Sequence, residues 1–247
     1  MKALILAAGY ATRLYPLTRN YPKPLLPVAG KPIIDHIAAK IEALRGVDEI
    51  IVVTNSKFAS LFERWAKRRS GGLRVTVVDD LTSTPELRRG AIGDLHFVIG
   101  SKGITEDLLV IGGDNLFDSG LEEFAVFSSS KSPAAVIGAY DIKDRRKAGK
   151  YGVVSLDSGR VVDFQEKPAH PASALVGMCL YYLPGFKLGL VDEYLKAGNK
   201  KDAVGFFIEW LRRKEDVFCF VFGGRWYDIG HHDSYREADA YFRAAGK

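Results

Sequence analysis

The sequence has few cysteines and no long apolar run, and both absences exclude classes of protein. Its 247 residues include only two cysteines, Cys179 and Cys219, in apolar stretches where a thiol usually packs as a small hydrophobic group. They make no disulfide framework, and they are too far apart in the chain to match the ligand spacing of a zinc finger. No window approaches the roughly eighteen apolar residues needed to span a bilayer, and residues 3–8 are too short a run for a signal-peptide core. We therefore expect a cytoplasmic protein with no membrane partner.

Charge of one sign gathers only in short clusters, such as residues 145–147 and 212–214. The formal net charge is +5, from 35 basic residues spread among 30 acidic ones. A nucleic-acid-binding protein usually gathers its excess charge on one face or in a tail, so we expect no nucleic-acid partner. A mild positive balance suits small anionic substrates, and the sequence leaves a homo-oligomer open.

The familiar catalytic and phosphate-binding motifs are also missing. There is no Gly-x-Ser-x-Gly nucleophile elbow. The loop after the first strand lacks the three spaced glycines of the dinucleotide fingerprint, and Gly30-Lys31 lacks the remaining residues of a P-loop. Adjacent side chains diverge in a helix or strand, so His231-His232 is a poor candidate for a metal-binding pair. Trp226 is equally compatible with stacking on a ligand and with a core position.

Apolar periodicity predicts strands alternating with helices in the first half of the chain. Predicted strands cover residues 2–7, 49–53, 73–78 and 108–111, and predicted helices cover 32–45, 57–68 and 90–99. Gly71-Gly72 is predicted to end the helix at 57–68. Further strands are predicted at 134–140, 151–156, 161–165, 176–182 and 217–222, with helices at 187–197, 203–213 and from His232. The fold class expected is α/β: a Rossmann-like, mostly parallel sheet flanked by helices, with a smaller mixed β-rich part in the second half.

A long loop follows the first strand and contains the most informative residues. Ligands of open parallel sheets bind beyond the carboxyl ends of the strands, where Gly9 is placed. Arg13 and Lys23 follow, among prolines that limit the cost of ordering the loop, so they can present charge to a polyphosphate. An ordinary surface loop remains the alternative for either cation taken alone.

Taken together, these residues resemble a known family. The first strand, Leu6-Ala7-Ala8-Gly9, Arg13, Pro16-Leu17-Thr18, Pro22-Lys23-Pro24-Leu25 and Gly30-Lys31-Pro32 match the signature of the sugar-phosphate nucleotidyltransferases, typified by glucose-1-phosphate thymidylyltransferase. Members join a nucleoside triphosphate to a sugar 1-phosphate and release pyrophosphate. The resemblance implies that Arg13 and Lys23 bind the triphosphate and that the backbone of Leu6, Ala8 and Gly9 contacts the nucleotide.

Two acids and a later charged segment agree with this resemblance. Asp114 ends an apolar strand and Asp228 follows another; two carboxylates with phosphate oxygens and waters make a typical magnesium shell, and the family uses Asp residues in matching motifs. The family's Glu-Lys-Pro segment corresponds to Glu166-Lys167-Pro168, where Glu166 would bind sugar hydroxyls and Lys167 the sugar phosphate. Gly152 and Gly177 would let backbone approach the sugar. The implied cofactor is Mg²⁺, and Arg13, Lys23 and Lys167 are the expected catalytic residues.

The resemblance also implies how the chain is divided, and it fails in one segment. We expect one nucleotidyltransferase domain at 1–247, with a nucleotide-binding part at about 1–133, a sugar-binding part at about 134–230 and a closing helix at 232–244. The base-reading segment of the thymidylyl and uridylyl enzymes is absent from residues 80–94. Gly90 is the best substitute for its glycine, and Thr82 or Ser83 is expected near the base. The nucleobase therefore stays open, with dTTP or UTP and glucose 1-phosphate as the first hypothesis.

Three other functions are compatible with parts of the sequence. A nucleotide-sugar-dependent glycosyltransferase would be expected to carry an Asp-x-Asp pair, which Gly113-Asp114-Asn115 does not supply. A cytidylyltransferase would use CTP with phosphocholine or another small phosphate ester. A catalytically silent nucleotide-sugar-binding regulator would bind without releasing pyrophosphate.

Overall fold

The computed structural model describes residues 1–69 and 72–246 and has a mixed α/β architecture. The strands are β1 (Lys2–Leu6), β2 (Pro27–Val28), β3 (Lys31–Pro32), β4 (Glu49–Thr54), β5 (Arg74–Asp79), β6 (Leu108–Gly112), β7 (Asn115–Phe117), β8 (Ala135–Asp141), β9 (Gly152–Asp157), β10 (Arg160–Glu166), β11 (Leu175–Leu183), β12 (Val217–Phe222) and β13 (Trp226–Asp228). The helices are α1 (Ile33–Glu42), α2 (Ala59–Arg68), α3 (Ala91–Lys102), α4 (Glu122–Ser130), α5 (Gly189–Lys196), α6 (Val204–Leu211) and α7 (His232–Ala245).

The predicted fold class, a mostly parallel sheet flanked by helices with a mixed β part, is confirmed. Each predicted strand and helix is present with ends that differ by a few residues, and the strand at Val217–Phe222 has the predicted bounds. Helix α4 and the short strands β2, β3, β7 and β13 were not predicted. Gly71, which was predicted to end α2, lies outside the described residues. Within residues 1–69 and 72–246, no helix is both long and apolar enough to cross a bilayer.

The chain divides into two compact units. We call the unit formed by Lys2–Arg88, Ile111–Leu121 and the chain from Gly224 onward the N-terminal unit, and the unit that contains Arg89–Val110 and Glu122–Gly223 the central unit. In the N-terminal unit, strand β4 lies between β1 and β5, and both pairings are parallel. The near-continuous apolar run of β4 fits a strand buried on both faces, since Ile50, Val52 and Val53 are fully buried.

A second, smaller sheet belongs to the N-terminal unit. The three residues of β7 pair antiparallel with the three residues of β13, so that Asp228 lies opposite Asn115 and Trp226 opposite Phe117. The indole Nε1 of Trp226 donates to Asn115 Oδ1 at 2.6 Å, which closes the pair with a side-chain hydrogen bond. This pairing brings residues more than one hundred positions apart into one place.

The central unit contains a mixed sheet in which β8 lies between β11 and β12, and β10 lies between β12 and β9. Strands β8 and β12 are parallel, whereas β9 and β10 form an antiparallel hairpin. Ser158 and Gly159 turn that hairpin with φ of 51° and 82°, the left-handed conformation that the predicted turn requires. Helices α5 and α6 pack through an aromatic cluster in which the Tyr194 ring lies 5.5 Å from the rings of Phe207 and Trp210.

Candidate active site

The backbone that follows β1 forms one wall of a small cleft in the N-terminal unit. The Ala8 carbonyl accepts a hydrogen bond from the Asn55 side-chain amide at 2.9 Å, and the Leu6 carbonyl accepts one from Gly113 N at 2.8 Å. A Cβ atom at Gly113 would lie only 2.9 Å from the Leu6 oxygen, so this close approach requires glycine. The cleft has a volume of about 130 Å³ and is lined by Leu6, Ala7, Gly9, Ala11, Lys23, Pro24 and Asp114.

Lys23 enters this cleft from a single helical turn formed by residues Lys23–Leu25. The turn is anchored by Pro24 and Leu25, which are buried, while the Lys23 side chain is 15% exposed. Its Nζ donates to Asp114 Oδ2 and, at 2.7 Å, to the carbonyl oxygen of Ile229. The charge of Lys23 is therefore held at the carboxyl end of β1 by one acid and one backbone carbonyl.

Asp114 and Asp228 come together because of the β7–β13 pairing. Asp114 directly precedes β7, and Asp228 lies in β13 opposite the next residue, Asn115. Burial and then the negative charge of Asp114 raise the pKa of Asp228, while the positive charges of Lys23, His231 and Arg13 act in the opposite direction. Two carboxylates that repel each other at a half-buried site favour the binding of a cation.

Arg13 lies on the same side of the N-terminal unit. It belongs to a single turn, Thr12–Leu14, that is fixed by the buried Leu14 and by a hydrogen bond from Thr18 Oγ1 to the Ala11 carbonyl at 2.7 Å. The side chain is exposed, and its charge stabilises the ionised form of Asp228. Four of the predicted residues, Arg13, Lys23, Asp114 and Asp228, therefore share one site.

The donor set of this site fits a magnesium ion that is also bound by substrate. Mg²⁺ is usually held by one or two carboxylates together with phosphate oxygens and waters, and Asp114 and Asp228 supply two carboxylates. Among residues 1–69 and 72–246 there is no group of three or more Asp, Glu, His or Cys side chains that could hold a metal without such help. Asp114 and Asp228 would supply two ligands of such an ion, with phosphate oxygens and waters as the others.

The loop predicted to lie near the nucleobase is ordered by its own acid. Thr82 is 5% exposed, and both its backbone N and its hydroxyl donate to Asp80 Oδ1 at 2.7 Å. Ser83 is exposed, and so is the neighbouring Leu81, which has a φ of 65°. The hydroxyl of Thr82 is already used as a donor inside the loop.

The predicted sugar-binding residues lie in the central unit. Glu166 is at the end of β10, opposite Gly152 in β9, and its side chain is only 9% exposed. Burial raises the pKa of Glu166, and the charge of Lys167, whose Nζ lies 3.7 Å from Glu166 Oε1, opposes this shift. Lys167 is 59% exposed, has a φ of 51° and donates its backbone N–H to the Tyr151 carbonyl at 2.9 Å.

The glycines of the central unit that were predicted to lie at a site differ in how much space an added Cβ atom would have. A Cβ atom at Gly152 would lie 2.4 Å from the Phe164 ring, so glycine is needed there for packing. Gly177 has no neighbour closer than 3.5 Å to such an atom. Gly90 packs on the backbone of Lys201, which a Cβ atom would approach to 2.5 Å.

Several residues that shape these sites were not predicted. The Ile229 carbonyl accepts from Lys23, the Asn115 side chain accepts from Trp226 in β13, and the Asn55 side chain donates to the Ala8 carbonyl. No sequence pattern marks such partners. Gly205 at the start of α6 is another case, because a Cβ atom there would lie 1.9 Å from Glu166 Oε2. The His232 ring lies 3.1 Å from the Tyr15 carbonyl, and His231 caps α7.

Known proteins of one family are similar to this chain over nearly its whole length. The family model described as Nucleotidyl transferase matches residues 2–244. The chain is 31% identical over 247 residues to the bifunctional protein GlmU of Methanocaldococcus jannaschii, covering 98% of this chain and 54% of that protein. It is 27% identical to GlmU of Methanococcus vannielii, with coverage of 98% and 55%. The chain thus spans about half the length of these relatives.

One solved structure of similar fold matches this chain over nearly the full length of both chains. The structure of UDP-glucose pyrophosphorylase complexed with UDP-glucose superposes with a TM-score of 0.81, covering 98% of each chain at 23% sequence identity. At this identity the likeness shows that the fold is shared.

Proposed function

Because the chain belongs to the nucleotidyl transferase family, we propose that it is a magnesium-dependent enzyme that joins a nucleoside triphosphate to a sugar 1-phosphate and releases pyrophosphate. The observation that carries this proposal is the meeting of Lys23, Asp114 and Asp228 in the N-terminal unit, beside the backbone that ends β1. Cations and two carboxylates at the end of a parallel strand suit a metal-bound polyphosphate.

In this proposal the N-terminal unit binds the triphosphate. Arg13 and Lys23 neutralise its oxygens, and the backbone of Leu6, Ala8 and Gly9 borders the rest of the nucleotide. Asp114 and Asp228 would hold Mg²⁺, which when bound supplies positive charge to the phosphate oxygens. The exposed side of Gly9, where an added Cβ would meet nothing within 4 Å, leaves space for a ligand against the backbone.

The central unit is proposed to bind the sugar phosphate. Lys167, with its exposed ammonium group, would pair with the phosphate, and Glu166, buried and fixed against Gly205, would accept hydrogen bonds from sugar hydroxyls. Thr82 and Gly90 stay candidates for the nucleotide site, and Gly152 and Gly177 for the sugar site.

The chemistry proposed needs no general base. An oxygen of the sugar phosphate, already anionic near neutral pH, attacks the α-phosphorus of the triphosphate. A new phosphorus–oxygen bond forms, the bond from the α-phosphorus to the bridging oxygen breaks, and pyrophosphate leaves with the bonding electrons. The barrier then comes from charge repulsion and alignment, and the positive charges of Arg13, Lys23 and Lys167 would lower it.

The first hypothesis for the substrates is dTTP or UTP with glucose 1-phosphate. The alternatives are CTP with phosphocholine or another small phosphate ester, and a regulator that binds a nucleotide-sugar without turning over. The loop at residues 80–88 does not single out one nucleobase. Thr82 is buried, and its hydroxyl already donates to Asp80.

The decisive experiment is a grid of pyrophosphate-release assays. Five nucleoside triphosphates are each combined with glucose 1-phosphate, mannose 1-phosphate, N-acetylglucosamine 1-phosphate and phosphocholine, with Mg²⁺ or with a chelator. Release with a sugar 1-phosphate that stops on chelation supports the proposal, and release with phosphocholine alone favours the cytidylyltransferase. Tight nucleotide-sugar binding with no release from any pair favours the regulator.

A further inference from the structure

A groove of about 700 Å³ lies on the face of the N-terminal unit formed by α1 and α2, and the function proposed above does not use it. It shares no lining residue with the cleft that contains Lys23. Its volume lies within the range of roughly 300–1,000 Å³ found for small-molecule pockets. The charged side chains that line it are Lys31, Asp35, Glu42, Arg64, Arg68 and Arg69.

One arginine of this groove neutralises its acids. Arg69 Nη1 donates to Asp35 Oδ1 at 2.7 Å, and Arg69 Nη2 donates to Glu42 Oε1 at 2.6 Å. The Trp65 indole donates to the same Asp35 oxygen at 2.9 Å. The carboxylates are therefore engaged with a fixed guanidinium and an indole, so they offer little attraction to a cation from solution.

The other three cations of the groove have no such partner. Lys31, Arg64 and Arg68 form no ion pair with any residue of 1–69 or 72–246. Arg64 and Arg68 are four residues apart on α2 and thus lie on one face, where like charges repel. The negative end of the helix dipole favours Arg68 in the last turn, but Arg64 lies a full turn earlier, where this effect has faded.

We propose that this groove is a second ligand site, which binds a small phosphorylated molecule. The exposed guanidinium groups of Arg64 and Arg68 can each form paired hydrogen bonds to phosphate oxygens, and Lys31, just before α1, adds a third charge from another element of the wall. Tyr21, which is 40% exposed, provides an aromatic surface for the organic part of the ligand.

A small ligand fits this surface better than a polyanion does. The cations line a concavity of limited volume rather than a continuous stripe, and two carboxylates lie among them. A nucleic-acid backbone would require a row of cations that follows its phosphates. The shared chemistry of a nucleotide and a sugar phosphate is the phosphate group, so both are tested.

The test is calorimetric titration of the full chain without divalent metal, using UTP, glucose 1-phosphate and inorganic pyrophosphate as separate probes. At least one probe is expected to bind wild-type protein at a site that Lys23→Ala preserves. Arg64→Ala/Arg68→Ala should weaken that site by about tenfold or more, since two charge-assisted contacts are lost. Lys67→Ala, which removes an exposed cation of the same helix that does not line the groove, should change the affinity by less than about twofold.

Arg64 and Arg68 are exposed, so replacing them should leave the fold intact. Circular dichroism and the single variant Arg64→Gln check this. Unchanged binding of every probe by the double variant would overturn the proposal. Equal weakening by Lys67→Ala would also overturn it, because the effect would then come from general charge. Binding of a short oligonucleotide at Arg64 and Arg68, with no small phosphate bound there, would replace the proposed ligand with a polyanion.

Discussion

The Lys23 ammonium group donates to the Asp114 carboxylate, although 91 residues separate the two in the chain. The same nitrogen donates to the Ile229 carbonyl at 2.7 Å, so the lysine links three distant segments of the N-terminal unit. If Lys23 binds a triphosphate and Asp114 binds the accompanying metal, both must give up this ion pair together. Metal and nucleotide are then expected to bind more tightly together than either does alone, because each releases the partner that the other needs.

Replacing Lys23 tests its proposed role in catalysis. Lys23→Ala should lower kcat/KM for pyrophosphate release by about 10²–10³-fold, since a cation positioned for transition-state charge is lost. Steady-state assays with the best substrate pair measure this, and thermal unfolding checks that the fold is intact. Lys102→Ala, at an exposed position in α3, is the matched control. Wild-type kcat/KM in a folded Lys23→Ala variant would remove Lys23 from the mechanism.

Replacing Asp228 tests the metal site separately. Asp228→Asn should raise the Mg²⁺ concentration needed for half-maximal activity by about tenfold or more, because one of two carboxylate ligands becomes neutral. A titration of activity with Mg²⁺ at saturating substrates gives this value. Asp233→Asn is the control, since the Asp233 side chain is 82% exposed and its ion pair is with Arg236. An unchanged Mg²⁺ requirement in Asp228→Asn would show that Asp228 is not a ligand.

The sequence predicted the main elements of the fold because their periodicity is strong. Four consecutive apolar residues, Ile50–Val53, form the middle of β4. Phe58, just before α2, and Phe62 and Trp65 within it follow helical spacing. Helix α4 was missed because Glu122–Ser130 ends in three serines and has only Phe124 and Ser128 buried. Strands of two or three residues, such as β7 and β13, are too short for any alternation to show.

The candidate site was predictable in its residues but not in how they meet. Asp114 and Asp228 were identified from strand ends and from a resemblance, yet the pairing of Asp228 with Asn115 depends on a register that only coordinates reveal. In the same way, no motif marks the Ile229 carbonyl as a partner of Lys23. Backbone partners carry no residue-type signal, so sequence patterns cannot identify them.

Gly205 is expected to position Glu166. An alanine methyl group at this position would lie 1.9 Å from Glu166 Oε2, so Gly205→Ala must displace the carboxylate. We predict a rise of about tenfold or more in KM for the sugar phosphate with little change in KM for the nucleotide, since Glu166 is proposed to contact the sugar. Gly189→Ala, at the first residue of α5 with nothing within 4 Å of an added Cβ, is the matched control. Equal changes in both KM values would contradict a role specific to the sugar.

Asp118 is expected to make the free energy of unfolding depend on pH at acidic pH. Burial disfavours its charge, but hydrogen bonds from Tyr241 Oη at 2.6 Å and Arg225 N at 2.8 Å outweigh burial and lower its pKa. A carboxyl group whose pKa is lower in the folded state stabilises the fold above its unfolded pKa of about 3.9 and loses this contribution as the pH falls through the folded value. Because the side chain is exposed to screening solvent, the contribution at pH 7 should be about 1 kcal/mol.

Asp118→Asn should therefore lower the free energy of unfolding at pH 7, and the gap from wild type should close as the pH falls below about 4. Urea unfolding at pH 7, 5 and 3.5 measures both effects. Tyr241→Phe removes one of the two donors and leaves the carboxylate, so it should show a smaller loss with the same trend. A gap that stays constant from pH 7 to pH 3.5 would mean that Asp118 stabilises the fold by its shape and packing, because only the ionised carboxylate depends on pH in this range.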